Sequence, residues 1–291
     1  MRLSRLLPAK LRKTDVIIPV VKMHGAIMAG GSPLRPSLSL ASVAGPLQRA
    51  FEMKDAPVVA ISVNSPGGSP VQSRLIYSRI RELAEEKKKR VLAFVEDVAA
   101  SGGYMIALAG DEIIADETSI LGSIGVVAAS FGFVEAIGKL GVERRVYTAG
   151  KNKVMLDPFK PEKKADIDHL KSLQSDIHGI FIDMVKERRD GKLADDPDIF
   201  SGLFWTGRPA REKGLVDSFG HMSSVLKERY GEKTGLRLIQ AKKNLFGRPV
   251  GAVSLSQCSD MSAVGSTIAG GLPGAVAQEA EERALWARYG L

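Results

Sequence analysis

The chain has 291 residues, of which 44% are hydrophobic and 25% charged, and it carries a net charge of +8. That balance excludes an intrinsically disordered chain and leaves room for one large α/β domain or two small ones. One cysteine, Cys258, excludes an intramolecular disulfide and suits a reducing compartment, and four scattered histidines (His24, His169, His178, His221) lack the spacing of a zinc site.

In chain order, residues 1–14 form a basic segment carrying Arg2, Arg5, Lys10, Arg12 and Lys13. Its leucines are interrupted by Arg5, Pro8 and Lys10, so no signal-peptide core forms. Their spacing allows a basic amphipathic contact with an anionic membrane surface; a frayed terminus is the plainer alternative. No stretch reaches the ~18 apolar residues of a spanning helix. The expected location is therefore cytoplasmic, with peripheral contact to the inner membrane.

Val16–Met23 reads as a first strand, residues 29–39 as a Gly/Ser/Pro loop, and Leu40–Lys54 as a helix. The unbroken apolar runs Val58–Val63 and Val91–Glu96 predict strands buried on both faces, separated by a helix over about 69–86. The basic run Lys87–Arg90 reads as a solvated helix end. A short helix over 101–109 follows, then strands at 112–116, 124–128 and 143–148, with a helix over 134–140. Ile167, Leu170, Leu173, Ile177, Ile180, Phe181 and Met184 step by three and four, predicting a long amphipathic helix within 162–189. A compact unit runs from Phe204 to Gly220, then a helix to Tyr230 and a late strand at 237–241. Residues 15–240 thus form the main domain, and 241–291 a Gly/Ala-rich extension ending in a charged helix. Alternating strands and helices predict an α/β fold, mainly parallel with crossover helices.

Ser101 lies in Val98-Ala-Ala-Ser-Gly-Gly-Tyr104, where small neighbours allow a sharp strand-to-helix turn and close substrate approach. It reads either as an exposed nucleophile or as a helix N-cap. Asn64-Ser-Pro-Gly-Gly68 ends a strand, and its glycines either present N–H groups to an oxyanion or make a tight turn. No Walker lysine follows, so a nucleotide phosphate fits poorly. Ser123, in Leu121-Gly-Ser-Ile-Gly-Val126, could orient an amine or simply serve a turn. Past the strand at 143–148, Lys151 and Lys153 compete as the base that a serine without histidine would need, and spacing does not choose between them.

These runs, with Thr148-Ala-Gly150 before Lys153 and Phe204-Trp-Thr-Gly207 leading to Gly214-Leu-Val-Asp217, resemble the signal peptide peptidase A (SppA) family of Ser/Lys proteases, its SohB branch more closely. The resemblance spans roughly residues 15–240. It implies a ClpP/crotonase-like fold of repeated ββα units, with Ser101 as nucleophile, Lys153 rather than Lys151 as general base, and Ser123 orienting the lysine. It also implies an oxyanion hole from the Gly68 and Gly102 N–H groups, and acyl-enzyme chemistry. No cofactor or metal is expected. The implied partners are peptides, signal-peptide remnants or unfolded segments, and further copies of the chain in a ring or dome, with Ser101 and Lys153 paired within one subunit or across two. Many family members carry an N-terminal membrane span; residues 1–14 do not resemble one.

Two other functions compete: a crotonase-like acyl-CoA enzyme on the same fold, for which the Ser/Lys set is foreign, and a non-catalytic membrane-surface scaffold. Nucleic-acid binding rests on charge alone and has no recognition motif behind it. Deleting residues 1–13 is expected to weaken binding to anionic vesicles in a sedimentation assay; unchanged binding would return the segment to a frayed terminus.

Overall fold

The computed structural model describes residues 16–30, 37–240, 280 and 282–291. The basic segment 1–14 and most of the 241–291 extension lie outside the described residues.

Most elements fall where the sequence predicts them. They are β1 (Ile17–His24), α1 (Leu40–Phe51), β2 (Val58–Ser65), α2 (Pro70–Lys87), β3 (Arg90–Ala100), α3 (Gly102–Ala107), β4 (Glu112–Ala115) and β5 (Ile120–Gly122). Then come α4 (Val134–Lys139), α5 (Lys164–Arg188), β6 (Phe204–Thr206), α6 (Gly207–Glu212), β7 (Ser218–Phe219), α7 (Met222–Tyr230) and β8 (Gly235–Leu238). One eight-stranded sheet has the order β6-β5-β3-β2-β1-β8, with β4 joining β3 to β7. Only the β5–β6 pair is antiparallel.

The central strands are buried on both faces because each side chain finds an apolar layer. Val59, Ile61 and Val63 point into the core with α1, α2 and α3, whereas Val58 and Ala60 face Val225 and Leu226 of α7. Serines start two helices. Ser39 accepts the Ser42 N–H in a capping box, and Ser69, followed by Pro70, accepts the Gln72 N–H.

β3 changes partner along its length, pairing first with β4 through Leu92–Phe94 and then with β5 through Val98–Ala100. The C-terminal end of that second half leads into α3. At the end of the chain, Trp286 and Tyr289 pack on Val98 and Ala100, and the Tyr289 ring meets Phe204 edge-on at 5.0 Å.

Two expected strands are absent. Residues 124–128 and 143–148 form no ladder, because no strand among the described residues lies beside them. From Gly125 to Lys163 the chain runs largely exposed, and Phe131 and Tyr147 are 80% and 90% accessible. Its own contacts are local: Phe159 stacks near Phe133 and under Arg144, which pairs with the buried Asp157. The long helix is present, but its apolar stripe is only partly used. Phe181, Met184 and Val185 are buried, while Leu173 and Ile180 stay exposed.

A buried ion pair ties α5 to the turn after α6. Arg189, 3% exposed, donates to Asp217 at 2.7 Å and to the Gly214 carbonyl at 2.7 Å. Burial pushes the Asp217 carboxyl up, but hydrogen bonds from Arg189, the Ile113 N–H and Lys192 outweigh it and hold it below its ordinary value. A depressed carboxylate contributes stability in full above its unfolded pKa of about 3.9, and that contribution is lost as pH falls through the folded value. Arg189→Met strands the half-buried carboxylate and is expected to cost about 3–5 kcal/mol at pH 7. Denaturant unfolding should show that deficit shrinking as the pH is taken below about 4.

Candidate active site

Ser101 sits where β3 turns into α3, with φ 53° and ψ −121°. An L-residue held there costs about 1–3 kcal/mol, so its surroundings must fix it. They do so through the backbone. The Ser101 N–H donates to the Gly122 carbonyl at 2.8 Å, and its own carbonyl accepts the Met105 N–H at 3.0 Å. Unlike Ser39 and Ser69, Ser101 makes no side-chain cap hydrogen bond. The helix-cap alternative therefore fails on geometry, and a half-buried hydroxyl is left with no partner among the described residues.

The sheet register lines up the other candidates. Ser65 pairs with Ala99, and Ala99 with Leu121. Two residues further on, the three strands reach Gly67, Ser101 and Ser123. A Cβ on Gly67 would lie 2.8 Å from the Ser101 Cβ, which is why glycine occupies that position. Ser123 is buried and shares the positive φ of 53°. Its N–H donates to the Leu203 carbonyl at 2.7 Å, and His178 of α5 contacts the next carbonyl, that of Ile124, at 3.0 Å.

Gly68 has φ 137° and lies beside Ile27 in an isolated parallel bridge. Ile27 donates to the Gly67 carbonyl and accepts from the Ser69 N–H, which leaves the Gly68 N–H without a backbone acceptor among the described residues. A Cβ on Gly68 would run into the Ile27 carbonyl. Gly102 is the first residue of α3, so its N–H has no intrahelical acceptor either. Gly68 and Gly102 thus each carry an N–H with no backbone acceptor among the described residues, on the turns that follow Gly67 and Ser101.

Lys153 is not in this cluster. It lies exposed in a turn over 151–156 of the Gly125–Lys163 excursion, its N–H bonded to the Gly150 carbonyl, and Lys151 is exposed beside it. Among the described residues neither lysine makes a hydrogen bond or ion pair with Ser101, and the fold of one copy does not choose between them.

Several supporting residues were invisible to motif reading. Ser65 donates to the Gly25 carbonyl at 2.7 Å and accepts the Gly67 N–H at 3.2 Å, fixing the glycine turn. Tyr104, fully buried, donates to the Leu215 carbonyl at 3.0 Å. Burial raises its phenol well above the ordinary value, so it stays a donor. The Gly214–Asp217 run is therefore a brace behind α3 rather than part of the site. Asn64 and Asp97 join through side chains at 2.6 Å where the β2–β3 register shifts, and the adjacent acids Glu96 and Asp97 within an apolar run were the sequence signal for that shift.

Residues 83–234 match the model of peptidase family S49, so the chain belongs to that family, which includes the SppA- and SohB-like peptidases. Among its relatives, a Brucella abortus protein named Na(+)/H(+) antiporter NhaA is 62% identical over 99% of this chain and 39% of its own length. A putative protease of Methanocaldococcus jannaschii is 35% identical over 58% of this chain and 54% of its own. The chloroplastic serine protease SPPA of Arabidopsis thaliana is 31% identical over 75% of this chain and 32% of its own. The chain thus spans about a third to a half of the length of these relatives. No helix among the described residues is long and apolar enough to cross a membrane.

Gly102 also packs without room to spare, since a Cβ there would meet the Ser73 hydroxyl of α2. Gly102→Ala is expected to destabilise the fold by about 1–3 kcal/mol through overpacking. Adding Ser73→Ala, which removes the hydroxyl and leaves Ile27 Cδ1 at 3.2 Å and the Ser73 Cβ at 3.3 Å, should recover part of that loss in thermal unfolding.

Proposed function

We propose that this chain is a serine endopeptidase in which Ser101 attacks a peptide carbonyl and Lys153 is the general base. The observation that supports the reading is the uncapped Ser101 hydroxyl, held at a strained strand-to-helix turn side by side with the Gly67 turn.

In the proposed mechanism, the neutral Lys153 amine takes the Ser101 proton as Oγ bonds to the carbonyl carbon. The carbonyl π electrons move to oxygen, and the Gly68 and Gly102 N–H groups bind that oxyanion. The oxyanion collapses, the C–N bond breaks, and the protonated lysine gives its proton to the leaving amine. Water, deprotonated by the same lysine, then hydrolyses the ester and releases Ser101. Ser123 holds the amine in line. Peptides or unfolded segments are the substrates, and the basic segment 1–14 brings the enzyme to anionic membrane surfaces.

Lys153 reaches a serine by assembly. A base amine needs a site shielded from water, yet Lys153 stands on a largely exposed stretch of the described residues. The same stretch presents Val127, Phe131, Leu140, Val142 and Tyr147 to solvent, and α5 leaves Leu173 and Ile180 uncovered. A second copy that buries these side chains would carry Lys153 to the Ser101 of its neighbour and close a homo-oligomer.

A fluorophosphonate probe should label Ser101 in the wild type, and Ser101→Ala and Lys153→Ala should each abolish hydrolysis. Unfolding and refolding the two inactive variants together should restore part of the peptidase activity, because mixed assemblies contain intact Ser101/Lys153 pairs. Absence of label on a folded protein would count against the enzyme, and labelled but uncomplemented protein against pairing between copies.

A further inference from the structure

β3 is not a regular partner of β2. Val63 pairs with Val95 and Ser65 with Ala99, so β3 uses two more residues than β2 over this interval. A regular ladder would pair Ser65 with Asp97 and Gly67 with Ala99. Ser101 would then lie two residues past Gly67, about 6–7 Å too far along the strand. The bulge draws it back until Gly67 and Ser101 stand side by side, close enough that no Cβ fits on Gly67.

Asn64 holds this bulge at both ends of its amide. Its Oδ1 accepts the Val98 N–H at 3.2 Å, and its Nδ2 donates to Asp97 Oδ2 at 2.6 Å. Its own carbonyl accepts the Gly25 N–H at 2.9 Å, so its backbone is pinned to β1. Glu96 is held as well: its carboxylate accepts from Ser62, and its carbonyl from the Ser119 hydroxyl. The amide supplies an acceptor for the Val98 N–H and a donor for the Asp97 carboxylate from two separate atoms of one planar group.

We infer that Asn64 is a positioning residue that sets the register of the Ser101 strand by clamping its two-residue bulge. The inference rests on the reading of Ser101 as nucleophile. Asn64 touches no reacting atom and acts by keeping the serine level with the glycine loop.

The test uses the full chain with Asn64→Leu, Asn64→Asp, Asp97→Asn and the swapped pair Asn64→Asp/Asp97→Asn. Two readouts are taken: peptide hydrolysis and amide hydrogen exchange over residues 97–101. Asn64→Leu is expected to speed exchange in that segment and to lower kcat by about 100-fold, the order of loss from a misplaced reacting group, with KM little changed. Asn64→Asp sets two carboxylates against each other and should fall similarly. Asp97→Asn keeps an acceptor and should stay close to wild type. The swapped pair restores one donor and one acceptor and should recover most of kcat. If Asn64→Leu does not fold, the last three variants carry the test. Unchanged exchange, undiminished kcat in Asn64→Asp, or no recovery in the swapped pair would overturn the inference. A wild type that hydrolyses nothing would count against the peptidase reading alone, and the exchange would then decide for or against the clamp.

Discussion

The candidate site depends on the register of three parallel strands. Ser65, Ala99 and Leu121 stand in one row, and each chain then leaves the sheet with a conformation that ordinary residues avoid. Gly67 turns at φ 99°, and Ser101 and Ser123 at 53°. Such strain persists only where the surroundings over-determine it. Here the surroundings are β-ladder hydrogen bonds on both sides of β3 and a core in which Val98, Ala99, Ala100 and Tyr104 are all fully buried. The small residues around Ser101 follow from the same row: side chains at Gly67, Gly68 or Gly102 would collide with Ser101, Ile27 or Ser73.

Stability and site are thus coupled through α3. This helix of six residues is too short to stand on its own propensity. Tyr104 anchors it to the Leu215 carbonyl, and Arg189 and Asp217 hold that carbonyl's loop from behind. The run Gly214-Leu-Val-Asp217, remote from Ser101 in sequence, is needed because it forms the floor under the helix that starts at the serine. The Asp217 carboxylate also accepts the Ile113 N–H at the head of β4, so one side chain links two strands and a helix.

The parts of the fold legible in the sequence are those whose pattern reflects their own neighbours. Val58–Val63 and Val91–Glu96 read as doubly buried strands because layers lie on both faces, and the Ser69-Pro70 start of α2 carries its capping chemistry locally. The failures have one cause. The runs at 124–128 and 143–148 are apolar and β-prone, but a strand also needs a partner, and none lies beside them among the described residues. The stripe on α5 predicted a helix correctly and its burial only in part, since periodicity states which face is apolar and not what covers it. The glycines at 67, 68 and 102 were legible as positions that need no side chain, because a Cβ at each would collide with its neighbours. Asn64 was not, because a register shift between strands distant in sequence leaves only the weak trace of two acids inside a buried run.

If Lys153 is the base, as proposed, a single copy does not complete the site. The serine half is preorganised: its hydroxyl is uncapped, its backbone is fixed from both sides, and two N–H groups are left unclaimed. The lysine half stands in solvent on a stretch whose aromatic side chains are exposed. Under the proposed pairing, backbone strain spent on the serine and an unshielded lysine would keep the two apart until assembly. The nucleophile would be activated only where a neighbour supplies a dry, positioned amine. On that reading the exposed Phe131 and Tyr147 and the uncovered half of α5 are parts of the site, because what buries them also excludes water from Lys153.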